Sequence, residues 1–541
     1  MTTVRNPVIR GFAPDPSLVR VGDWYYVATS SFEWFPTIPI HRSRDLAHWE
    51  YAGHVRGAAP GDSLVGVPDS GGVWAPSLSW DGERFWVVYS IVRSVGTPYF
   101  DLDTYISTAT EVDGKWSAPR RVAGHGFDPA LFHADGRLWL LNMQSDHRPG
   151  GQRFAGIVLT ELDRDTLTRT GDTHLLLQHE RLIEGPKLVR HDGWYFLVLA
   201  EGGTGFEHGV RVARSRAITG PYELDSRPLL TTRDDPSVPL QKAGHAELVE
   251  TPDGDWMLSH LTARPLRTPE GMRCTLGRET AIQALTWDAE GWPRLRQGGH
   301  HPVVEVDVPT PAPTSPAQAV PQLPVDDGPL GWPWSTLRGA PDPSWVDTAG
   351  RPGWIRLRGR HGPESRWAYS LLAQRLTEHR AEAQVTVEAQ PLTFTQAAGL
   401  VLHYSAEAYL SLDLTWAEPE NEPQRGQQWR EGAGRTVLSL RERDEDDTRQ
   451  VAVVEVDAAG PLALGVTVDG ADASFWYVKD GVRQPVGPPL DFSRLSDDYG
   501  SKLRFTGAMA GIHATDLVDA VFTADFTDFR LVCTAGEEWP S

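Results

Sequence analysis

A motif that recurs five times within the first 261 residues constrains this chain more than any other feature. The stretches are DPSLVRVGDWYYVATS from Asp15, APSLSWDGERFWVVYS from Ala75, DPALFHADGRLWLLNM from Asp128, GPKLVRHDGWYFLVLA from Gly185 and HAELVETPDGDWMLSHL from His245. Each has a Leu (18, 78, 131, 188, 248), a Gly a few residues later (22, 82, 136, 193, 254), and then an aromatic and aliphatic run. The pattern reads as a hairpin: a short strand, a Gly-bearing turn, and a second strand rich in Trp, Tyr and Val. The Leu residues are 60, 53, 57 and 60 residues apart, and each unit has room for four short strands. Such units are the blades of a β-propeller, here five-bladed.

Propeller geometry brings equivalent repeat positions together around the central channel although they are far apart in the chain. The positions four and three before each Leu hold Pro14 and Asp15, Trp74 and Ala75, Phe127 and Asp128, Glu184 and Gly185, and Gly244 and His245. Three carboxylates, one indole and one imidazole are thus predicted to face one point. Asp15 lies between two prolines in FAPDPS, which predicts a stiff, extended backbone around it. A single such Asp reads as a turn residue. Three acids and a His at one repeat position crowd like charges at a cost that function explains better than turn chemistry. Glycosidic cleavage needs an acid to protonate the leaving oxygen and a carboxylate to activate water or attack the sugar, and a third acid can raise the pKa of the first.

After about residue 300 the composition changes. Residues 308–331, VPTPAPTSPAQAVPQLPVDDGPLG, read as a Pro-rich linker between a propeller at 1–307 and a domain at 332–541. In that last domain AEAQVTVEAQ, RTVLSLRER, RQVAVVEV and PLALGVTVDG alternate apolar and polar residues as a β-sandwich does. The whole chain is therefore predicted to be all-β. A net charge of −21 argues against nucleic acid or an anionic membrane as partner. Its 21 Trp suit the apolar faces of sugars, and a β core as well. Two cysteines, Cys274 and Cys533, make no disulfide framework, and the first residues contain no apolar leader, so a cytoplasmic protein is expected.

Long stretches resemble one family. NPVIRGFAPDPSLVRVGDWYYVATSSFEWFPTIPIHRSRDLAHWE, SGGVWAPSLSW, GFDPALF, EGPKLVRHDGWYFLVLAEGGTGFEHG, GHAELVETPDGDW and LGRETAIQALTWDAEGWPRL are similar to the β-xylosidases of glycoside hydrolase family 43. DDYGSKLRFTGAMAGIHATDLVDAVFTADFTDFRL resembles the concanavalin-like, jelly-roll β-sandwich appended to that group. The resemblance implies an exo-acting, inverting β-1,4-xylosidase that releases xylose from the non-reducing ends of xylo-oligosaccharides. Asp15 would be the general base, Glu184 the general acid, and Asp128 the residue that orients the acid and tunes its pKa.

Substrate-binding positions carried over by motif are Phe32 and Trp74 as apolar walls, Arg278 as a donor fork, Thr204 beside the leaving group, His245 at the channel floor, and Phe505 on a sandwich loop closing the cleft. The residues alone also allow Phe32 and Trp74 as core aromatics, Arg278 as a surface ion pair with Glu279, and Thr204 as a loop cap. No cofactor is required by this chemistry, although Ca²⁺ held through water near His245 is compatible with relatives, and sandwich edges allow a homodimer or homotetramer. Competing readings are α-L-arabinofuranosidase activity, alone or as a second activity, a retaining fructoside hydrolase, and a non-catalytic sugar-binding propeller. Loss of any one acid would favour the last, and all three are present.

Overall fold

The computed structural model describes residues 2–536 apart from 60–62, 95–98, 309–329, 419–433, 458–459 and 503. Its described residues are almost entirely strands and turns, with a 3₁₀ turn at Phe492–Arg494, and no helix among them is long and apolar enough to cross a membrane. Two compact units emerge: residues 1–265 with 278–326, and residues 266–277 with 327–541.

The first unit contains five antiparallel sheets that follow one another along the chain. Each contains one of the strands Ser17–Val21, Ser77–Trp80, Ala130–Ala134, Ile183–His191 and Gln241–Glu250, the strands that bear the repeated Leu residues. Each of these strands lies against the one before and the one after, and the fifth lies against the first, so the sheets close into the ring of a propeller. Glu247 of the fifth sheet helps to seal it: one carboxylate oxygen accepts from Ser17 Oγ at 2.7 Å and Leu18 N at 3.0 Å. The terminal strands Thr2–Arg5 and Glu305–Val308 also pair with each other.

The apolar runs behind each repeat acquire a physical reason in this ring. A strand sandwiched between neighbouring sheets is buried on both faces, so it reads as a continuous hydrophobic run. In FWVVY, Val87 and Tyr89 pack against Tyr26 and Ile40 of the first sheet, whereas Trp86 and Val88 pack against Leu138 and Leu140 of the third. In WYFLVLA, Leu197 and Leu199 join Trp139 and Leu141, whereas Phe196 and Val198 join Trp256 and Leu258. Each fully buried side chain of this kind contributes about 1.5–3 kcal/mol. The hairpin turns follow local chemistry too: Asp135–Gly136 and Asp192–Gly193 both have positive φ, as two-residue type I′ turns require.

In the second unit two sheets enclose one apolar core. One includes Arg380–Ala389, Leu462–Asp469 and Thr523–Cys533; the other includes Gln396–Ser405, Ala408–Ala417 and Met509–Asp516. Val385, Val387, Leu464 and Val466 meet Leu400, Leu402, Leu410 and Leu412 between them. Most of the predicted linker lies outside the described residues.

The unit boundary differs from a simple division into two consecutive parts. Leu266–Gly277, which interrupts the fifth repeat, belongs to the second unit. Its Leu276 joins the sandwich core, Thr275 O accepts from Ala508 N at 2.9 Å, and Cys274 N donates to Asp498 at 3.0 Å. Cys274 and Cys533 are not joined in a disulfide.

Candidate active site

The entries to the Leu-bearing strands of four sheets carry the polar residues of the site. Three residues before the repeated Leu, the backbone is left-handed in four of the five repeats: φ is 55° at Asp15, 52° at Asp128, 57° at Gly185 and 48° at His245. Asp15 therefore does not adopt the extended conformation expected before a proline. Asp tolerates the left-handed region better than most residues, and hydrogen bonds to its carboxylate offset the strain. The strand pairing is also irregular between Glu184 and Lys187 and between Gly244 and Glu247. Bulges of this kind re-aim side chains beside functional sites.

These entries bring together the side chains singled out by the repeat. Asp15 Oδ2 accepts from Ser30 Oγ at 2.6 Å, and Oδ1 accepts from Arg278 Nη1 at 2.8 Å. His245 Nδ1 lies 4.0 Å from Asp15 and 3.9 Å from Asp128. Asp128 Oδ2 accepts from Gly185 N at 3.1 Å, which ties it to the residue after Glu184. A Cβ on Gly185 would sit 3.0 Å from the His245 ring, so the left-handed glycine also makes room for the imidazole. All three acids and His245 are buried.

Environment separates the acids. Burial by itself would raise the Asp15 pKa, but Arg278, His245 and the Ser30 hydroxyl outweigh it and hold the carboxyl below its ordinary range. Glu184 is pushed up to about 7, first by burial and then by Asp15, with Arg278 opposing. Asp128 is raised well above its ordinary value by burial, Glu184 and Asp15, against the Lys187 ammonium and the Gly185 N–H. Glu184 and Asp128 titrate as an interacting pair that retains a proton into the neutral range. His245 is lowered to about 4, chiefly by burial.

The aromatic residues lie close by. Phe32 exchanges backbone hydrogen bonds with Val73 at 2.9 Å, which fixes its ring 6.3 Å from that of Trp74. Trp74 is half-buried, donates Nε1–H to Ser70 O at 3.0 Å, and meets Phe127 edge-on. Arg278 is buried with its guanidinium 5.6 Å from the centre of the Phe32 ring. The alternative pairing of Arg278 with Glu279 is replaced by another: Glu279 receives two bonds from Arg264, each 2.7 Å. Thr204 is half-buried on the loop between Trp194–Glu201 and Gly209–Ser215. Phe505 belongs to the second unit and is half-buried there.

Several polar neighbours carry no repeat signature. Buried Lys187 places Nζ 3.4 Å from Ser17 Oγ and 3.5 Å from Glu247 Oε2. Only its place in EGPKL, three residues after Glu184, hints at it in the sequence. His208 donates Nδ1–H to Lys242 O at 3.0 Å, which leaves Nε2 as a buried acceptor with no hydrogen-bond partner among the described residues. One imidazole lone pair fits an ordered water or a cation held through water. It is not the oxygen cage that direct Ca²⁺ coordination needs.

Comparison with known families matches residues 4–293 to the model described as glycosyl hydrolases family 43, and 326–532 to the β-xylosidase C-terminal concanavalin A-like domain. The chain belongs to glycoside hydrolase family 43. Among its relatives in this family, the xylosidase/arabinosidase 43B of Humicola insolens is 38% identical, with 98% of this chain and 97% of that protein covered. The xylan 1,3-β-xylosidase of a Vibrio species is 36% identical over 98% of this chain and 99% of its own length. The crystal structure of a xylan β-1,4-xylosidase from Bacillus halodurans superposes with a TM-score of 0.89 at 39% identity, covering 98% of this chain and 99% of the other.

Proposed function

We propose that this family-43 chain is an exo-acting β-xylosidase that hydrolyses xylo-oligosaccharides with inversion at the anomeric carbon. One observation carries the reading: two buried acids in one site are driven to opposite protonation states, Asp15 below its ordinary pKa and Glu184 up to about 7. Near neutral pH the first is a carboxylate and the second retains much of its proton. That division separates base from acid without any further group.

In the proposed reaction Asp15 takes a proton from water as its oxygen attacks the anomeric carbon, and Glu184 gives its proton to the departing glycosidic oxygen. The sugar leaves as the inverted hemiacetal, Asp15 is left protonated and Glu184 ionised, and exchange with solvent resets both. Arg278 keeps Asp15 ionised and contacts sugar hydroxyls, with Phe32 and Trp74 as apolar walls. Asp128, held by Gly185 N–H, orients the acid. Each acid–base contribution is typically about 10²–10⁴-fold in rate. No metal enters a step.

The name of the Humicola relative supports a second reading, in which the same pocket also accepts α-L-arabinofuranosides. That of the Vibrio relative makes the linkage, β-1,4 or β-1,3, part of the test. A reducing working compartment is supported by the two cysteines, which are not joined in a disulfide. Proton NMR of the first sugar released from β-1,4- and β-1,3-xylobiose tests activity, linkage and stereochemistry together. The proposal expects α-xylose first; initial β-xylose would overturn inversion. Cleavage of arabinofuranosides but neither xylobiose would replace the xylosidase reading with the second.

A further inference from the structure

Away from the channel, three side chains of the first unit converge on one point. Asp234 Oδ2 lies 2.8 Å from His300 Nε2, and its Oδ1 lies 2.9 Å from His301 Nε2. The three donor atoms all lie within 4.8 Å of one another. Neighbours on an extended strand point to opposite faces, so two consecutive histidines rarely share a partner. Here Gly298 and Gly299, with φ of 82° and 69°, bend the chain just before them. The imidazoles meet edge-on, their centres 4.5 Å apart.

The backbone around this cluster is fixed. His300 O accepts from Thr231 N at 2.9 Å, and His301 O accepts from Gln297 Nε2 at 3.3 Å. The adjacent Asp235 carboxylate is occupied locally by Ser237 through N at 2.8 Å and Oγ at 2.6 Å. Asp234 is therefore the acid left for the histidines. The side chains are 51%, 34% and 35% exposed, which leaves open positions for water.

We propose that Asp234, His300 and His301 form a binding site for one borderline divalent cation of the Zn²⁺ class. Two imidazoles and a carboxylate are the ligands that such ions choose, at about 2.0–2.2 Å, whereas Mg²⁺ and Ca²⁺ favour all-oxygen sets. Binding exchanges the two His-to-Asp hydrogen bonds for metal–nitrogen bonds, with one or two waters completing the shell. The ion would join the loop ahead of the closing strand Glu305–Val308 to the turn after Leu230–Thr231. It thereby acts as a structural staple, separate from the channel groups of the reaction.

The test uses the full chain, stripped with chelator and titrated with Zn²⁺ by calorimetry, with Co²⁺ absorbance as a second readout. Wild type is expected to show one saturable site that raises its melting temperature. D234N, which keeps the side-chain shape, should bind at least tenfold more weakly, and H300Q/H301Q should lose the site. None of these changes should alter xylosidase turnover in metal-free buffer. Equal Zn²⁺ binding by wild type and H300Q/H301Q, or no saturable binding by wild type, would overturn the proposal. If the double variant does not fold, equal binding by wild type and D234N overturns it just as well.

Discussion

Arg278 Nη1 donates a 2.8 Å hydrogen bond to Asp15 Oδ1, and both side chains are buried although 263 residues separate them in the chain. A carboxylate this deeply buried would otherwise favour its neutral form, which is useless as a base. The guanidinium makes ionisation the stable state. R278M should therefore raise the Asp15 pKa and shift the acidic limb of the kcat/KM profile to higher pH. R278K, which restores a cation without the planar fork, should recover part of that shift; an unmoved acidic limb in R278M would separate Arg278 from the base.

Replacement of the two proposed reacting groups should give different signatures. D15N should lower kcat on xylobiose by about 10²–10⁴-fold. Its melting temperature should stay closer to wild type than that of D15A, because the amide oxygen still accepts from Arg278 while the amide NH2 donates to the Ser30 hydroxyl. E184Q should lose xylobiose cleavage but retain far more activity on aryl xylosides, whose leaving groups need no proton. Equal losses on both substrates would remove Glu184 from the role of acid.

The pKa of Glu184, raised from 4.5 to about 7, makes stability depend on pH. Between those values the unfolded chain has released a proton that the folded chain keeps, so stability falls as pH rises. The decline attributable to this group is on the order of 3 kcal/mol, complete above about pH 7. Denaturant melts from pH 4.5 to 7.5 should show this slope in wild type, and E184Q should flatten it. The alkaline limb of the activity profile should lie near the same upper value.

Lys187 is expected to act as a positioning residue through the acid pair. Its ammonium lowers the Asp128 pKa, against the burial that raises it. K187M should therefore move the alkaline limb of kcat to higher pH, while the acidic limb, governed by Asp15 and Arg278, moves less. It should also destabilise the fold by several kcal/mol, because Glu247 loses its buried partner. A purely structural lysine would change stability and leave both limbs in place.

Gly185 offers a test of the backbone arrangement. G185A asks a Cβ to occupy a left-handed position 3.0 Å from the His245 ring. A loss of about 1–2 kcal/mol in stability is expected from the conformation alone. Displacement of His245 and of the Gly185 N–H bond to Asp128 should lower kcat more than it raises KM, measured on xylobiose.

The sequence by itself determined the repeat, and with it five sheets, their hairpins and the channel position of Asp15, Asp128, Glu184 and His245. Such features are legible because they rest on local periodicity: a Leu, a Gly-bearing turn and an apolar run buried on both faces recur in register. The alternating strands of the sandwich were readable for the same reason. Tertiary structure alone decided that Arg278 serves Asp15 rather than Glu279, that Lys187 and His208 line the site, and that Leu266–Gly277 leaves its repeat for the other unit. It also turned Asp15 to a left-handed conformation against the preference set by Pro16. Those outcomes depend on burial and on separations of 3–4 Å between residues up to 263 positions apart, and electrostatic coupling follows distance and burial in space rather than order along the chain.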